Sequence, residues 1–278
     1  MATILDGTSV AARRRVALKR HVSALRKRLR LGIILATDNA ATHSYVGAKH
    51  QAAEEVGVEV VVRNLGAKAS TPALRRAVEA FNRDRKISGF IVQLPLPSGV
   101  DPQEIFKLVD PAKDADGLTP TNLGYLFTRR EQIVPATPKG IVSLLDAYEI
   151  RPKGKKVAVV GKGLLTGLPI ATMLAHAGAT VTNCDKHTKK LAAETRSADI
   201  VIAAAGVPGL ITAPMIKPGA IVVDVGSTKL RSRLHGDVDF DRVAKKARAI
   251  TPVPGGVGPM TVVSLLENLY QLAKGPIK

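Results

Sequence analysis

The sequence is poor in cysteine and aromatic residues: Cys184 is its single cysteine in 278 residues, tryptophan is absent, and aromatic residues make up 3%. One cysteine excludes an intramolecular disulfide and a cysteine-based zinc site, and it favours a reducing, cytoplasmic location. The histidines follow no metalloprotease pattern, so no metal site is expected. With so few aromatic rings, the cores must be mainly aliphatic, as in parallel sheets covered by helices.

A signal peptide and a long apolar run are also lacking, so membrane association is not expected. Acidic residues are outnumbered by lysine and arginine, 23 to 41, which gives a net charge of +18. The densest basic stretch, residues 13–30, has aliphatic residues at helical spacing. It is interpreted as a surface helix with a solvated basic face, and a nucleic-acid patch is the less favoured alternative. Without interleaved aromatic rings, binding of nucleic acid is not expected.

Apolar runs rich in β-branched residues alternate with amphipathic helical stretches along the whole chain. This repeated βαβ pattern predicts an α/β protein with mostly parallel sheets. Predicted strands cover residues 31–35, 58–63, 90–93, 157–160, 179–183, 200–204 and 221–225, and predicted helices cover 44–56, 70–85, 168–177, 189–196 and 261–274.

A stretch rich in proline and glycine, residues 95–120, interrupts this alternation. Thr137 and Pro138 follow as a predicted N-cap and first turn of a connecting helix. The sequence therefore predicts two domains. The first is an α/β domain of residues 1–137. The second is a Rossmann-like dinucleotide-binding domain of residues 138–260.

The glycine-rich segment after the strand at 157–160 contains Gly161, Lys162, Gly163 and Thr166. A strand, a glycine turn and a helix in this order let backbone N–H groups approach a pyrophosphate. The spacing is one residue longer than the usual fingerprint, and a tight structural turn is the alternative interpretation. Because no serine or threonine follows Lys162, the segment is not a Walker A loop.

The residues after the next strand give conflicting indications about the cofactor. Asp185 is suited to accept a hydrogen bond from a ribose hydroxyl, which favours NAD. Lys162 and Lys186 are suited to pair with a 2′-phosphate, which favours NADP, although each is also consistent with a solvated surface lysine. We expect NADP, and NAD is the alternative.

Three further segments contain candidate catalytic and binding residues. Tyr45 and Lys49 are four residues apart and share a helix face, as an acid/base pair requires, although an ordinary surface pair is favoured by spacing alone. Gln93 ends a buried strand, where open α/β sheets place ligand contacts. Asp114 and Asp116 lie in a loop, where they either bind a ring with several N–H donors or serve as turn residues.

Together these segments resemble the bifunctional methylenetetrahydrofolate dehydrogenase/methenyltetrahydrofolate cyclohydrolase family. The matching segments span nearly the whole chain in the family order: Tyr45-x-x-x-Lys49, residues 92–97, residues 111–117, residues 135–140, the glycine turn at Gly161, residues 198–203, residues 224–226, residues 236–238 and residues 252–261. Each segment alone is unspecific, but their joint occurrence is highly specific.

The resemblance implies a homodimer with a folate substrate between the two domains. It also implies that the first domain has three layers and is completed by the C-terminal helix of residues 261–278, which folds back onto it. It implies that Lys49 is the acid/base of the cyclohydrolase step, assisted by Tyr45 and Gln93. It implies that substrate is bound by Asp116, Tyr45, Gly255, Gly256 and Pro259. It also implies a cofactor site formed by Gly161, Lys162, Gly163, Thr166, Asp185, Lys186, Thr188 and Gly206.

The implied activity is oxidation of 5,10-methylenetetrahydrofolate with NADP or NAD, followed by hydrolysis of the methenyl product to 10-formyltetrahydrofolate. The chain departs from the family pattern at Lys162-Gly163, usually Arg-Ser, and at Asp185-Lys186, usually His-Ser, and both changes concern the cofactor. One alternative is another two-domain NAD(P)-dependent dehydrogenase of the shikimate type. The other is a basic nucleic-acid-binding protein with a degenerate dinucleotide fold.

Overall fold

The computed structural model describes residues 2–230 and 233–275. Residue 1, the first of the predicted first domain, lies outside the described residues. Residues 276–278, the last three of its predicted C-terminal helix, also lie outside them. The chain divides into two compact units. One contains Arg13–Ala136 and Val262–Lys278 and is called here the three-stranded unit; the other contains Met1–Ala12 and Thr137–Thr261 and is called the six-stranded unit.

Three helices each contain a boundary between the units: α1 (Gly7–Ser23), α6 (Ala136–Ala147) and α10 (Val257–Lys274). The other elements of the three-stranded unit are β2 (Arg30–Leu35), α2 (Ala40–Glu55), β3 (Glu59–Asn64), α3 (Thr71–Arg83), β4 (Gly89–Val92), α4 (Pro102–Phe106), a 3₁₀ turn (Pro111–Lys113) and α5 (Pro120–Phe127).

The sheet of this unit is parallel, with β2 between β3 and β4. Successive residues of β2 point to opposite faces, so Ile33 packs in the cluster that contains Ala53 of α2 and Leu266 of α10. Ile34 packs instead in the cluster that contains Leu74 of α3. Helices therefore cover both faces, which confirms the predicted three-layer arrangement.

The six-stranded unit contains a parallel sheet in the order β1-β11-β8-β7-β5-β6 and an antiparallel hairpin of β9 and β10. Its remaining elements are β1 (Thr3–Ile4), β5 (Lys156–Val160), α7 (Gly167–His176), β6 (Thr180–Cys184), α8 (Leu191–Ser197), β7 (Ile200–Ala203), a 3₁₀ turn (Ala213–Met215), β8 (Ile221–Asp224), β9 (Thr228–Leu230), β10 (Arg233–His235), α9 (Phe240–Val243) and β11 (Ala249–Ile250).

The strand order of this sheet contains a topological switch point. After β5 the chain forms β6 on one side, and the following strand, β7, pairs with β5 on the other side. In open α/β sheets, ligands bind outside the carboxyl ends of the strands at such a point. The turns that follow β5 and β7 are therefore the expected position of a dinucleotide.

The two compact units and the two predicted domains divide the chain differently at its amino end. Residues 1–12 were expected in the first domain, but they group with residues 137–261. The physical reason is that β1 pairs in parallel with β11, with Thr3 opposite Ala249 and Ile4 opposite Ile250. A two-residue strand has too little periodicity to be recognised from the sequence.

Several helices also begin or end away from their predicted positions. Helix α2 begins at Ala40 rather than at residue 44, because the Asn39 side chain accepts hydrogen bonds from the N–H groups of Ala41 and Thr42. Helix α6 begins one residue before the predicted cap at Thr137. The basic stretch forms a helix only as far as Ser23. No helix in the described residues combines the length and the apolar character needed to cross a membrane.

Candidate active site and dinucleotide site

Lys49 lies on the buried face of α2 and is only 4% exposed. Thr42, Val46 and Ala53 share this face, so the lysine occupies a position in the buried stripe of the helix. A lysine is almost never this deeply buried unless a partner compensates for its lost hydration. This burial excludes the surface-pair interpretation of the Tyr45–Lys49 spacing.

Gln93 supplies that partner. It directly follows β4, and its backbone N–H donates to the carbonyl of Ile34 at 2.9 Å. The Lys49 Nζ donates to the Gln93 Oε1 at 2.8 Å, while the Gln93 Nε2 donates to the carbonyl of Leu94 at 2.8 Å. The second bond fixes which end of the amide faces the lysine. Since Gln93 accepts an N–H from the lysine, the lone pair of a neutral amine is left available.

Tyr45 lies one helical turn before Lys49 and is partly buried. The Lys49 Nζ lies 4.7 Å from the centroid of the Tyr45 ring. A cation over an aromatic face at this distance is stabilised by the ring quadrupole. The tyrosine is thus a close neighbour of the amine, as the sequence predicted.

The two carboxylates of the loop at 113–117 have different environments. Asp114 is buried, and its side chain accepts from the N–H of Gly117 at 2.9 Å, the N–H of Thr119 at 2.7 Å and the Nδ2 of Asn122 at 2.9 Å. Asp114 is therefore a turn residue. Asp116 is only partly buried, and its charge interacts with that of Lys49.

The pKa values of Lys49 and Asp116 shift in opposite directions. Burial lowers the pKa of Lys49, and the negative charge of Asp116 partly opposes this change. Burial raises the pKa of Asp116, the positive charge of Lys49 opposes the rise, and the charge of Asp114 adds to it. Both groups are thus displaced toward their neutral forms, as expected of an acid/base site.

Asn268 of α10 was not predicted, although it supports the segment before Asp116. Its Nδ2 donates to the carbonyl of Ala115 at 3.0 Å and to the carbonyl of Val134 at 2.8 Å, and its side chain is 1% exposed. The available signal was a polar residue within the apolar face of the last helix. These bonds fix the backbone that carries Asp116.

In the six-stranded unit, the glycine turn lies between the end of β5 and the start of α7. Gly161 has a φ of +122°, and a Cβ at this position would lie 2.1 Å from the carbonyl oxygen of Ala204. A Cβ at Gly167 would lie 2.0 Å from the carbonyl oxygen of Gly161. By contrast, Gly163 is exposed and its Cβ position is open. The tight turn and the open approach both fit a phosphate-binding loop.

Asp185 and Lys162, which indicate different cofactors, contact each other. The Lys162 Nζ lies 3.2 Å from the Asp185 Oδ2. The other carboxylate oxygen of Asp185 accepts from the N–H of His187, whereas Thr188 Oγ1 accepts from the N–H of Asp185, both at 3.0 Å. The His187 N–H and Lys162 together lower the pKa of Asp185. Lys186 is exposed beside this pair.

Gly206 follows β7, on the other side of the switch point, and has a φ of +69°. Its N–H donates to the Asp237 Oδ2 at 2.8 Å, and the N–H of Ala205 donates to the same oxygen at 2.6 Å. Asp237 is completely buried and holds this loop. Thr166 directly precedes α7 and is partly buried, so the predicted cofactor residues at 161–166, 185–188 and 206 all follow β5, β6 or β7.

Asp224 is another buried carboxylate, and the sequence placed it in a matching segment without assigning it a role. It accepts from the N–H groups of Gly226 and Asp237 at 2.9 Å and of Val238 at 3.0 Å. A Cβ at Gly236 would lie 1.9 Å from the Asp224 Oδ2, which explains a glycine there. The matched segments 224–226 and 236–238 therefore form one hydrogen-bonded clasp. The pairing of aspartate with glycine in both segments, Asp224-Val-Gly226 and Gly236-Asp237, was the sequence signal for this contact.

The clasp predicts a pH effect on stability. Burial, with a smaller contribution from Asp237, raises the pKa of Asp224 from 3.8 to about 6. The folded state therefore binds more protons than the unfolded state between these values, so this contribution to stability decreases as pH rises from about 4 to about 6. We expect Asp224→Asn to melt below the wild type at pH 4.5, with a smaller gap at pH 7, by calorimetry. A difference in melting temperature that increases with pH would contradict a raised pKa of Asp224.

Gly255, Gly256 and Pro259, predicted to bind substrate, lie in the six-stranded unit. Gly255 has a φ of +106°, and a Cβ at Gly256 would lie 2.6 Å from the carbonyl oxygen of Pro252. Pro259 lies in the first turn of α10. Among the predicted catalytic and substrate residues, Tyr45, Lys49, Gln93 and Asp116 all belong instead to the three-stranded unit.

Two family models match the chain. The tetrahydrofolate dehydrogenase/cyclohydrolase catalytic domain matches residues 5–116, and the tetrahydrofolate dehydrogenase/cyclohydrolase NAD(P)-binding domain matches residues 135–276. The bifunctional protein FolD of Methanospirillum hungatei is 45% identical over 271 residues, which cover 98% of this chain and 97% of that protein.

Solved structures show the same likeness. The bifunctional FolD methylenetetrahydrofolate dehydrogenase/cyclohydrolase of Campylobacter jejuni has a TM-score of 0.94 and 42% identity, with 99% of each chain covered. The Trypanosoma brucei methylenetetrahydrofolate dehydrogenase-cyclohydrolase, complexed with NADP and an inhibitor, has a TM-score of 0.94 and 39% identity over 98% of this chain and 97% of that one. Neither the shikimate-type dehydrogenase nor the nucleic-acid-binding alternative is favoured by these matches.

Proposed function

Because the chain belongs to the tetrahydrofolate dehydrogenase/cyclohydrolase family and is a bifunctional enzyme of that family, we propose that Lys49 is its cyclohydrolase acid/base. The observation that supports this role best is the almost fully buried Lys49 amine, 2.8 Å from Gln93 and close to the charge of Asp116. Tyr45 and Gln93 assist the lysine, and Asp116 binds the folate ring.

The first reaction removes a hydride from the methylene carbon of 5,10-methylenetetrahydrofolate and leaves a methenyl cation. Hydride transfer depends mainly on how the two reacting carbons are positioned. In the second reaction, water adds to the cationic carbon and the ring opens to 10-formyltetrahydrofolate. The water oxygen loses two protons, of which one goes to the released ring nitrogen and one to solvent. This second reaction is the step that needs a proton-transfer group.

Lys49 suits that task for two reasons. Burial lowers its pKa, which increases the fraction of neutral amine near neutral pH. A cationic substrate nearby lowers the pKa further, because like charges disfavour the ammonium form. The neutral amine accepts a proton from the attacking water, and the resulting ammonium donates a proton when the ring opens. Gln93 holds the amine in place in both states, since its Oε1 accepts an N–H from either form.

Asp116 is positioned to accept hydrogen bonds from N–H donors of the folate ring. Asp116 is a partly buried residue, whereas the carboxylate of Asp114 accepts hydrogen bonds from backbone and side-chain donors. Hydrogen bonds to the ionised form would lower the raised pKa of Asp116, so substrate binding and ionisation of Asp116 support each other.

The dinucleotide fits the turns at the switch point of the six-stranded sheet. The open Cβ positions of Gly163 and Gly206 leave room for the pyrophosphate, and α7 presents its N-terminus to that site. When bound there, the nicotinamide ring supplies the hydride acceptor. Lys162 and Lys186 would hold a 2′-phosphate, and Thr166 and Thr188 supply hydroxyl groups nearby. NADP is therefore the proposed cofactor, although Asp185 weakens the preference by occupying Lys162.

Replacing Asp185 with asparagine is predicted to strengthen the preference for NADP. Asparagine retains the acceptor for the His187 N–H but removes the charge that pairs with Lys162. A freed Lys162 gains a charge-assisted hydrogen bond to a 2′-phosphate, so kcat/KM for NADP should rise roughly tenfold while that for NAD does not rise. Dehydrogenase rates with each cofactor measure the ratio.

Asp241→Asn provides the matched control, since Asp241 is exposed in the same unit and the charge change is identical. It should leave the ratio of the two cofactors unchanged. If Asp185→Asn also leaves the ratio unchanged, Lys162 does not contact the 2′-phosphate. A wild-type kcat/KM higher for NAD than for NADP would contradict the proposed preference itself.

One assay tests the proposed function as a whole. Purified protein is mixed with 5,10-methylenetetrahydrofolate and either NADP or NAD, and reduced cofactor and methenyl product are followed by absorbance. Formation of reduced cofactor with only transient methenyl product supports both activities. Lack of turnover with either cofactor would contradict the proposal. The homodimer and the cytoplasmic location also remain predictions, and light scattering of the purified protein tests the first of them.

A further inference from the structure

A strongly basic cavity of about 380 Å³ lies in the three-stranded unit, apart from the candidate active site. Six cationic side chains and one carboxylate line it together with a few apolar residues. The cationic residues are Lys27, Arg28, Arg30, Arg85, Lys86 and Lys113. This group of residues is called here the basic pocket, and neither the dehydrogenase nor the cyclohydrolase reaction uses it.

The basic pocket lies at the amino end of the strands. Arg30 is the first residue of β2, and Ser88 directly precedes β4, whereas Gln93 directly follows β4. The four residues of β4 separate Ser88 from Gln93, which corresponds to roughly 16 Å. In a parallel sheet the two ends of a strand open to different edges, so the basic pocket is a separate site.

The cations of the basic pocket differ in how far they are already engaged. Arg30 pairs with Glu59 at 2.8 Å, and Lys113 donates to the carbonyls of Phe81 and Asp84 at 2.9 and 2.7 Å. Lys27, Arg28, Arg85 and Lys86 are exposed, and within residues 2–230 and 233–275 none of the four has an acidic partner. Four cations around one cavity thus repel one another unless an anion joins them.

The lining of the basic pocket favours a compact anion with several charges. Among the described residues, Asp110 supplies the one carboxylate of the lining, and one of its oxygens accepts from the N–H of Ala112 at 2.9 Å. Ile87 and Leu272 form an apolar wall, which strengthens electrostatic attraction at the site. Arginine forks bind phosphate oxygens in pairs, and lysines add point charges. Within the part of the chain that the structure describes, no aromatic ring lines the cavity for base stacking, which disfavours single-stranded nucleic acid.

We propose that the basic pocket binds a chain of phosphoryl groups, either inorganic polyphosphate or the phosphates of a nucleotide. A cavity of this size falls in the range of small-ligand sites and is larger than one phosphate requires. Adjacent phosphoryl groups match the four unpaired cations, because each group brings negative charge and several acceptor oxygens. The proposal concerns a site distinct from the folate and cofactor residues and does not depend on their roles.

The test is calorimetric titration of the full chain with inorganic tripolyphosphate at low ionic strength. The wild type is expected to bind one equivalent, with an affinity that falls as salt is added. Arg28→Ala/Arg85→Ala should weaken binding by at least roughly tenfold, because it removes charge-assisted hydrogen bonds. The matched control is Arg75→Ala/Arg76→Ala, two exposed arginines of α3 with the same total charge change, which should stay within about twofold of the wild type.

A second variant, Lys27→Gln/Lys86→Gln, repeats the test without removing an arginine and covers the case in which the first variant does not fold. Equal losses in pocket and control variants would mean diffuse attraction by net charge and would overturn the proposal, as would absent binding by the wild type. A nucleoside triphosphate that competes with tripolyphosphate supports the shared chemistry, and higher affinity for it assigns a nucleotide. Tighter pocket-dependent binding of oligoglutamate or RNA would overturn the phosphate assignment.

Discussion

Replacement of Lys49 by methionine should abolish most cyclohydrolase turnover and leave dehydrogenation measurable. Methionine roughly keeps the length of the side chain, so the buried stripe of α2 stays filled, but the amine bonded to Gln93 is lost. A positioned acid/base contributes typically about 10²–10⁴-fold, and the cyclohydrolase rate should fall by that factor. The dehydrogenase step needs no proton from the protein. The methenyl product should therefore accumulate, which near-ultraviolet absorbance records directly.

Lys68→Met is the matched control, because Lys68 is an exposed lysine of the same unit. It should leave both activities within about twofold of the wild type. Some decrease in the dehydrogenase rate of Lys49→Met is compatible with the proposal, since the amine also helps to position the substrate. Survival of both activities near wild-type levels would contradict it, and so would loss of the dehydrogenase alone.

The pH profile gives an independent measure of the same role. A base acts in its unprotonated form, so the cyclohydrolase rate should rise with pH as Lys49 loses its proton. Because burial lowers the pKa of Lys49, this rise should occur below the usual range of a lysine. The residual cyclohydrolase rate of Lys49→Met should not show this rise with pH.

The sequence predicted the class of the fold well and the surroundings of individual side chains less well. Hydrophobic alternation and glycine turns are local signals, so the strands around Gly161 were located to within a residue. The burial of Lys49 depends on which face of α2 meets the sheet, and a spacing of four from Tyr45 does not contain that information. The sequence did contain a signal for this burial, because Lys49 lies at helical spacing from the apolar residues Val46 and Ala53.

Long-range pairs explain most of what the sequence could not reveal. Lys162 and Asp185 indicated different cofactors only because their contact across β5 and β6 was unknown. Asp224 and Asp237 are thirteen residues apart and form one clasp. The loop pattern did not distinguish Asp114 from Asp116, and only the family resemblance singled out Asp116. In the structure, backbone and side-chain donors bind the carboxylate of Asp114. In each case the deciding contact comes from a residue outside the local segment.

The contrast between these two aspartates provides the second large prediction. Asp116→Ala should reduce kcat/KM for the folate by roughly 100-fold or more, because hydrogen bonds to a partly desolvated carboxylate are lost. Its melting temperature should stay close to that of the wild type, and dinucleotide affinity, measured by calorimetry, should be almost unchanged. Asp114→Ala should instead lower the melting temperature by several degrees, since three donors lose their acceptor.

A further consequence separates a binding role of Asp116 from general damage to the site. The charge of Asp116 raises the pKa of Lys49 and so opposes the effect of burial. Removing that charge should lower the pKa of Lys49 further, and the rising limb of the residual cyclohydrolase activity should move to lower pH. Asp116→Asn removes the same charge at nearly constant shape and should shift the limb in the same direction. Normal folate kinetics in either variant, or a limb that moves to higher pH, would exclude Asp116 from the site.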